Sequence, residues 1–224
     1  SNFDIVGFSE ETTANELSEL ASRQNLIDYF DLGSGFYGNL PFNLDKNEPD
    51  LKNLKDVSLV SFSGDKLLGA VQCGIIVGKK ELIAKLRKNQ LLRMLRVDKV
   101  TISLLAESMK AYLNKEFELI TTQKLLHKSV KELESLANFI NKSLKTPLEI
   151  VRTQTFVGGG AMPNKKIPSV ALAFSGDANL NELKFRQKKV IGRIENDKFM
   201  LDLRSLLDDD VETLIKIINE TEEK

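Results

Sequence analysis

Two residues with complementary chemistry each follow a short apolar segment of this chain. Lys66 lies in the Ser/Gly-rich stretch Ser61-Phe62-Ser63-Gly64-Asp65-Lys66, and Asp31 begins Asp31-Leu32-Gly33-Ser34-Gly35, 35 positions earlier. A lysine amine can form a Schiff base with an aldehyde cofactor, and a carboxylate can keep the ring nitrogen of that cofactor protonated. The pair therefore predicts pyridoxal phosphate (PLP) chemistry, with Lys66 as the covalent residue and Asp31 as the ring partner.

Three further polar residues are candidates for anion binding. Ser63 could donate a hydrogen bond to the cofactor phosphate from the Lys66 loop, or it could cap its own turn. Arg93 and Arg96 are three positions apart, so on one helical turn they could grip a single tetrahedral anion. The alternative for the arginines is a basic helix surface that pairs with acids such as Asp98.

The first half of the chain has the pattern of an α/β layer that could position these residues. Apolar runs predict strands at 5–8, 26–30, 57–61 and 74–77. A capping box at Thr13 and Glu16 begins a helix between the first two strands, and this order is typical of a parallel sheet with a right-handed crossover. Further helices are predicted at 81–89, 98–113 and 121–144, while residues 33–54 form a long polar loop. The helix at 98–113 is expected to have an apolar face of Val100, Leu104, Leu105, Met109 and Tyr112, and that at 121–144 one of Leu125, Leu133, Leu136 and Ile140.

The pattern changes after Pro147, where strands and helices of an α+β layer are predicted. Strands are expected at 148–157 and 170–174, with a hairpin formed by 190–194 and 198–203 around Asn196-Asp197. Helices are expected at 181–189 and 211–218. We therefore predict an α/β domain over 1–113, linking helices over 114–147 and a small domain over 148–224.

The composition of the chain argues against general binding of nucleic acids or membranes and against a membrane span. The chain is 42% hydrophobic and 29% charged, and its 32 basic residues balance 32 acidic ones, which argues against a general binder of nucleic acids or membranes. No apolar run approaches the ~20 residues that cross a bilayer. The single cysteine, Cys73, is expected to be a small buried hydrophobe, and the single histidine, His127, a surface residue without a metal site. A reducing, cytoplasmic location is expected.

In its ordered motifs, the chain resembles the bacterial selenocysteine synthases, the L-seryl-tRNA(Sec) selenium transferases, from Ser1 to about Leu206. The matching segments are Ser1-Asn2-Phe3 with Ile5-Val6-Gly7-Phe8, Asp31-Leu32-Gly33-Ser34-Gly35, Phe62-Ser63-Gly64-Asp65-Lys66-Leu67-Leu68-Gly69, Leu95-Arg96-Val97-Asp98-Lys99, Val157-Gly158-Gly159-Gly160, Val190-Ile191-Gly192-Arg193-Ile194-Glu195 and Leu201-Asp202-Leu203-Arg204. Family members are much longer, so the resemblance implies that this chain corresponds to their C-terminal half.

The resemblance implies the C-terminal part of the large domain of a fold-type-I PLP-dependent transferase, followed by a small α+β domain. It implies that Lys66 holds PLP and that seryl-tRNA(Sec) becomes selenocysteinyl-tRNA(Sec), with selenophosphate as donor and an aminoacrylyl intermediate. It places the donor near Arg93 and Arg96, and it implies a homo-oligomer.

Two other functions stay open at this point. One is a truncated paralogue or oligomerisation module that has lost its cofactor site. The other is a different fold-type-I PLP enzyme, such as a lyase or aldolase. The family usually has the sequence Gly-Gly-Pro-Gln-Ala-Gly after Lys-Leu-Leu. This chain instead has Gly69-Ala70-Val71-Gln72-Cys73-Gly74 after Lys66-Leu67-Leu68.

Overall fold

The computed structural model describes residues 7, 12–38, 40–46, 50–158, 162 and 164–222. The chain divides into two compact units, one of residues 1–124 with 157–165 and the other of residues 125–156 with 166–224. Apart from Gly7, the predicted strand at 5–8 lies outside the described residues, as do Gly159 and Gly160. The predicted domain boundaries at residues 113 and 147 stay a prediction.

Within its described residues, the first unit contains a three-stranded sheet in the order β1-β2-β3. Its strands are β1 (Tyr29–Gly33), β2 (Leu59–Ser63) and β3 (Gly74–Gly78). β1 and β2 are parallel, whereas β3 returns antiparallel to β2 after a short connection. The parallel crossover predicted between the strands at 5–8 and 26–30 stays a prediction, because the first of these strands lies almost entirely outside the described residues.

The side chains of β2 point alternately to the core and to the polar face of this sheet. Val60 and Phe62 are buried in the core, where Phe30 and Leu32 of β1 pack against the same cluster. Because side chains alternate along a strand, Ser61 and Ser63 lie on the opposite face, and so does Asp31 of β1. The sheet therefore presents the predicted polar residues on one face.

The predicted bounds of the first two described strands are wrong by two to three residues. β1 runs over 29–33 rather than 26–30, so Asp31 lies inside the strand instead of following it. Leu26 and Ile27 are 65% and 62% exposed and precede the strand, so their apolar character did not indicate a buried strand. The strand begins after Asp28, a buried carboxylate that accepts hydrogen bonds from Ser18 Oγ (2.7 Å) and Ser58 N (3.1 Å).

The described part of residues 12–127 contains five α-helices, and the two predicted at 81–89 and 98–113 are confirmed to within one residue at each end. The five helices are α1 (Ala14–Arg23), α2 (Lys80–Lys88), α3 (Leu92–Leu95), α4 (Lys99–Asn114) and α5 (Thr121–His127). The predicted capping box at Thr13 is confirmed, with Glu16 as its partner. On α4, Leu105, Met109 and Tyr112 pack against the core, but Val100 and Leu104 of the predicted apolar face are 60% and 53% exposed.

The single helix predicted over 121–144 is wrong, because the chain forms α5 and then α6 (Val130–Lys142). Ser129 separates them in an extended conformation and caps α6 in a second capping box with Glu132. The Ser-x-x-Glu signal was present in the sequence, but the continuous apolar stripe concealed it.

The described part of the second unit contains a four-stranded antiparallel sheet in the order β4-β5-β7-β6. Its strands are β4 (Glu149–Phe156), β5 (Lys166–Ala173), β6 (Arg193–Glu195) and β7 (Lys198–Asp202). Helices α6, α7 (Ala178–Gln187) and α8 (Val211–Glu222) cover the core, whose aromatic centre is Phe174, Phe185 and Phe199. The predicted α+β arrangement is confirmed.

The predicted hairpin around Asn196-Asp197 is also confirmed. β6 and β7 pair antiparallel, and Asn196 and Asp197 both have positive φ angles, 51° and 58°. Two central residues with positive φ match the twist of the flanking strands, and Asn and Asp tolerate this conformation better than other residues with a side chain.

Arg204, the last residue of the Leu201-Asp202-Leu203-Arg204 motif, has a structural role in the second unit. Its side chain is buried, with the residue 4% exposed. The guanidinium donates to Leu125 O (3.0 Å), Leu126 O (3.2 Å) and Lys128 O (2.7 Å), and on its other edge to Pro168 O (3.1 Å). A cation here satisfies the last carbonyls of α5, as a helix C-terminus requires.

Replacing Arg204 with leucine is expected to destabilise the second unit by about 3 kcal/mol, because several buried carbonyls lose a charged donor. Urea unfolding followed by circular dichroism measures this change. The matched control is Arg152→Leu, since Arg152 is exposed and pairs only at the surface with Glu134 (2.6 Å). Equal stability of the two variants would show that the buried hydrogen bonds of Arg204 contribute little.

Candidate functional site

Lys66 lies in the turn that follows β2, three residues after Ser63, the last residue of that strand. The residue is partly buried, between buried Gly64 on one side and buried Leu67 and Leu68 on the other. Among the described residues, none makes a hydrogen bond or ion pair with its amine. The amine is therefore available on a loop in which Gly64, Leu67 and Leu68 are buried and Asp65, directly before the lysine, is exposed.

Backbone hydrogen bonds close the Lys66 loop on itself. Gly69 N donates to Lys66 O, Ala70 N donates to Gly64 O, and Gly64 N donates to Cys73 O, each at 2.8 Å. Loops with few internal hydrogen bonds open easily, whereas three backbone hydrogen bonds close this loop. The backbone that carries the Lys66 side chain is therefore held in one conformation.

Three side chains, which the sequence did not identify, bind the two residues that follow Lys66. Leu67 N donates to Ser34 Oγ at 3.4 Å, and Ser34 belongs to the segment that follows β1. Gln123 Nε2 donates to Leu67 O at 2.6 Å, and Tyr112 Oη donates to Leu68 O at 3.0 Å. The loop is thus held from the segment after β1, from α4 and from α5.

Gly69 lets this loop approach the start of α5. Its φ of +67° favours glycine, and a Cβ atom there would lie 2.8 Å from Ile120 Cγ2 and 2.9 Å from Thr122 Cβ. An alanine would therefore strain the backbone and push the loop from the residues that hold it.

Asp31 lies beside the Lys66 strand, in register with Ser61 of β2. Its Oδ1 accepts hydrogen bonds from Ser61 Oγ (2.8 Å) and Gly33 N (3.2 Å), and Tyr29 Oη lies 2.6 Å from the same serine oxygen. Within the described part of the chain, these bonds all use Oδ1. The carboxylate is exposed, oriented by its neighbours, and keeps Oδ2 for another donor.

Ser63 and the two arginines occupy different parts of the first unit. Ser63 ends β2 on the same sheet face as Ser61 and is partly buried. Arg93 lies in α3 and Arg96 directly follows it, and both are exposed. Among the described residues neither arginine forms an ion pair, and Asp98 instead accepts from Thr101 N (2.9 Å) as the N-cap of α4.

Cys73 and His127 show no sign of catalytic activation. Cys73 is partly buried, and burial raises the pKa of its thiol, with the charge of Asp65 raising it further. His127 is exposed, as predicted. The described residues contain no cluster of three histidine, cysteine or acidic side chains that could hold a metal ion. They also contain no helix with the length and hydropathy of a membrane span.

The groups around Lys66 fit PLP by their chemistry. An available amine can bond an aldehyde, an oriented carboxylate can face a ring nitrogen, and serine hydroxyls can donate to a phosphate. The structure brings Asp31, Ser61 and Ser63 to one face of two adjacent parallel strands, with Lys66 just beyond their carboxyl ends. That edge of a parallel sheet is where ligands bind in open α/β folds. The individual roles stay predictions.

Comparison with solved structures supports the predicted fold class. The chain is similar to D-glucosaminate-6-phosphate ammonia-lyase, with a TM-score of 0.59 and 16% identity, over 95% of this chain and 53% of that one. The mixed α/β architecture and this match confirm the predicted fold class, the C-terminal part of a fold-type-I large domain followed by a small α+β domain.

Comparison with curated sequences gives closer relatives. The L-seryl-tRNA(Sec) selenium transferase of Campylobacter concisus is 98% identical over all 224 residues, which cover 51% of that protein. The protein of the same name from Campylobacter fetus is 53% identical over 98% of this chain and 50% of its own length. The chain thus spans about half the length of the curated relatives it matches.

A family profile described as L-seryl-tRNA selenium transferase matches residues 1–207, nearly the whole chain. This range agrees with the predicted resemblance, which extended to about Leu206. The prediction is confirmed: the chain belongs to the L-seryl-tRNA selenium transferase family.

Proposed function

We propose that this chain forms the lysine-bearing half of an enzyme that converts seryl-tRNA(Sec) to selenocysteinyl-tRNA(Sec), with PLP as cofactor and selenophosphate as selenium donor. The observation that carries the proposal is the family match over residues 1–207, supported by an available lysine in the loop after β2 and an oriented aspartate on the neighbouring strand β1. A cytoplasmic homo-oligomer is part of the same proposal, by analogy with the family.

PLP, when bound, draws electrons from the serine Cα and so eases loss of the α-proton and the β-hydroxyl. Lys66 would supply the amine that bonds the cofactor aldehyde, and the same amine, once released, would be the base that takes the α-proton. Backbone hydrogen bonds of the loop hold the Cα of Lys66, which favours a proton transfer over a short distance.

Asp31 would keep a proton on the ring nitrogen of PLP. A nearby carboxylate raises the pKa of a cationic group, typically by roughly 1–3 units, so the ring would stay protonated at neutral pH. Ser61 and Gly33 hold one carboxylate oxygen, which would leave the other to accept from the ring nitrogen. Ser63, at the end of β2, is proposed to donate to the phosphate.

Arg93 and Arg96 are proposed to bind the selenium donor. Both residues are exposed; Arg93 lies in the single-turn helix α3, and Arg96 is its C-cap, three positions later. Guanidinium groups suit tetrahedral oxyanions because each donates two parallel hydrogen bonds. Neither arginine is engaged by an acidic residue among those described, which leaves both able to bind an anion.

The test compares substrates in the full-length protein. Purified protein should transfer labelled selenium from selenophosphate to seryl-tRNA(Sec), and it should leave free serine unchanged. Seryl-tRNA that decodes ordinary serine codons is the matched control and should not react. Turnover of free amino acids alone would remove the selenium assignment and favour a lyase or aldolase.

A further inference from the structure

Two side chains from outside the Lys66 loop donate hydrogen bonds to its backbone. We propose that Tyr112 and Gln123 form a clamp that positions Lys66, by holding the backbone carbonyls of the two residues that follow it. The purpose of the clamp, alignment of the amine with PLP, rests on the proposed function. The two hydrogen bonds that form the clamp rest on the geometry of the first unit alone.

Adjacent carbonyls are held from separate helices. Gln123 Nε2 of α5 donates to Leu67 O at 2.6 Å, and Tyr112 Oη of α4 donates to Leu68 O at 3.0 Å. The donors are 56 and 44 positions from their acceptors along the chain. Consecutive carbonyls of the loop accept hydrogen bonds from two different helices. The loop therefore cannot rotate about one of these hydrogen bonds without breaking the other.

The environment of both donors makes these bonds persistent. Gln123 is 2% exposed, so water does not compete well for its amide. Burial raises the pKa of Tyr112 far above its ordinary value, although a hydrogen bond with Gln123 opposes the shift. The phenol therefore remains a donor throughout the physiological pH range.

Packing of the rings and the loop supports the same conclusion. The Tyr112 ring meets Phe117 edge to face, with centroids 5.6 Å apart, which fixes the direction of its hydroxyl. Leu67 and Leu68 are only 3% and 2% exposed, and Gly69 approaches Ile120 and Thr122 more closely than a residue with a Cβ could. The backbone carbonyls of two such buried residues are costly to leave without a donor.

The clamp acts on the amine through the backbone. The lysine side chain is long, so the position of its amine depends on how well its Cα is fixed. Small misplacements of a reacting group are costly in rate, by up to ~10²-fold for 1 Å. Tyr112 and Gln123 are thus positioning residues, which act through the loop without contact with substrate.

The test uses two variants with a matched control. Tyr112→Phe removes only the hydroxyl, and Gln123→Leu removes the amide at similar volume. Thr13→Ala is the control, since it removes the N-cap of α1 in the same unit. The first readout needs no cofactor: exchange of the Gly69 amide, which donates to Lys66 O, relative to that of Val60 in β2. The second is the dissociation constant of PLP in the full-length protein.

Each clamp variant is expected to speed relative exchange of Gly69 roughly tenfold and to weaken PLP binding by a similar factor. Thr13→Ala should change neither ratio. Unchanged relative exchange in both clamp variants would overturn the clamp, and a looser loop with unchanged PLP affinity would overturn its positioning role. A wild-type protein without PLP affinity would instead overturn the proposed function, while the exchange rates still report on the clamp.

Discussion

Replacing Lys66 with alanine in the full-length protein is expected to abolish covalent attachment of PLP and to reduce selenium transfer to background. The reason is chemical: Lys66 supplies a primary amine, and alanine supplies no group that can bond an aldehyde. Borohydride should fix PLP to the wild-type peptide that contains Lys66, where mass spectrometry detects it, and the variant should remain unlabelled. The visible absorption of the bound cofactor should disappear in parallel.

Two controls sharpen this measurement. Lys66→Arg keeps the positive charge but has no primary amine, so it should fail like the alanine variant. Lys80→Ala removes an exposed lysine at the first position of α2 and should behave like the wild type. Covalent labelling of a different lysine in wild-type protein would contradict the assignment of Lys66.

The sequence was sufficient to select Lys66 and Asp31 as candidates for the covalent lysine and its carboxylate partner because both belong to local motifs. Ser/Gly-rich turns after apolar segments mark places where a sheet edge can meet a ligand, and the residue types limit the chemistry. Ser61 and Tyr29, which orient Asp31, were not found, because their contact with it depends on the register between β1 and β2. Register across parallel strands is not encoded in any short segment.

Tyr112 and Gln123 were missed for a related reason. Tyr112 was predicted as one more member of an apolar helix face, which it is, but its hydroxyl acts on a carbonyl 44 residues away. Gln123 is a polar residue near apolar neighbours, and such a residue needs a partner when buried. That need was a usable signal, although the partner could not be named before the loop and the helices were placed together.

Fold prediction succeeded where local chemistry decides and failed where packing decides. The capping box at Thr13 and the Asn196-Asp197 turn depend on neighbouring residues, and both were predicted. The apolar pair Leu26 and Ile27 looked like strand but is exposed, since the buried Asp28 determines where β1 begins. Position in the core, rather than residue type, set that boundary.

The second large effect is expected at Asp31. Asp31→Asn keeps the size of the side chain and an oxygen that can accept from Ser61 and Gly33, but it removes the negative charge. Loss of a partner charge lowers the pKa of the ring nitrogen, so PLP becomes a weaker electron acceptor. We expect PLP to remain attached to Lys66 while selenium transfer falls by roughly 10²-fold or more, the scale of a lost proton-handling group.

Single-turnover kinetics with seryl-tRNA(Sec) would separate this effect from weaker binding. Asp56→Asn is the matched control, since Asp56 is exposed in the turn before β2 and should tolerate the same change of charge. Ser61→Ala should give a smaller loss, because it leaves the Asp31 charge and removes only the hydroxyl that orients it. A rate in Asp31→Asn equal to that of the control would mean that the ring nitrogen is held by another group, and that Asp31 serves the packing of β1 against β2.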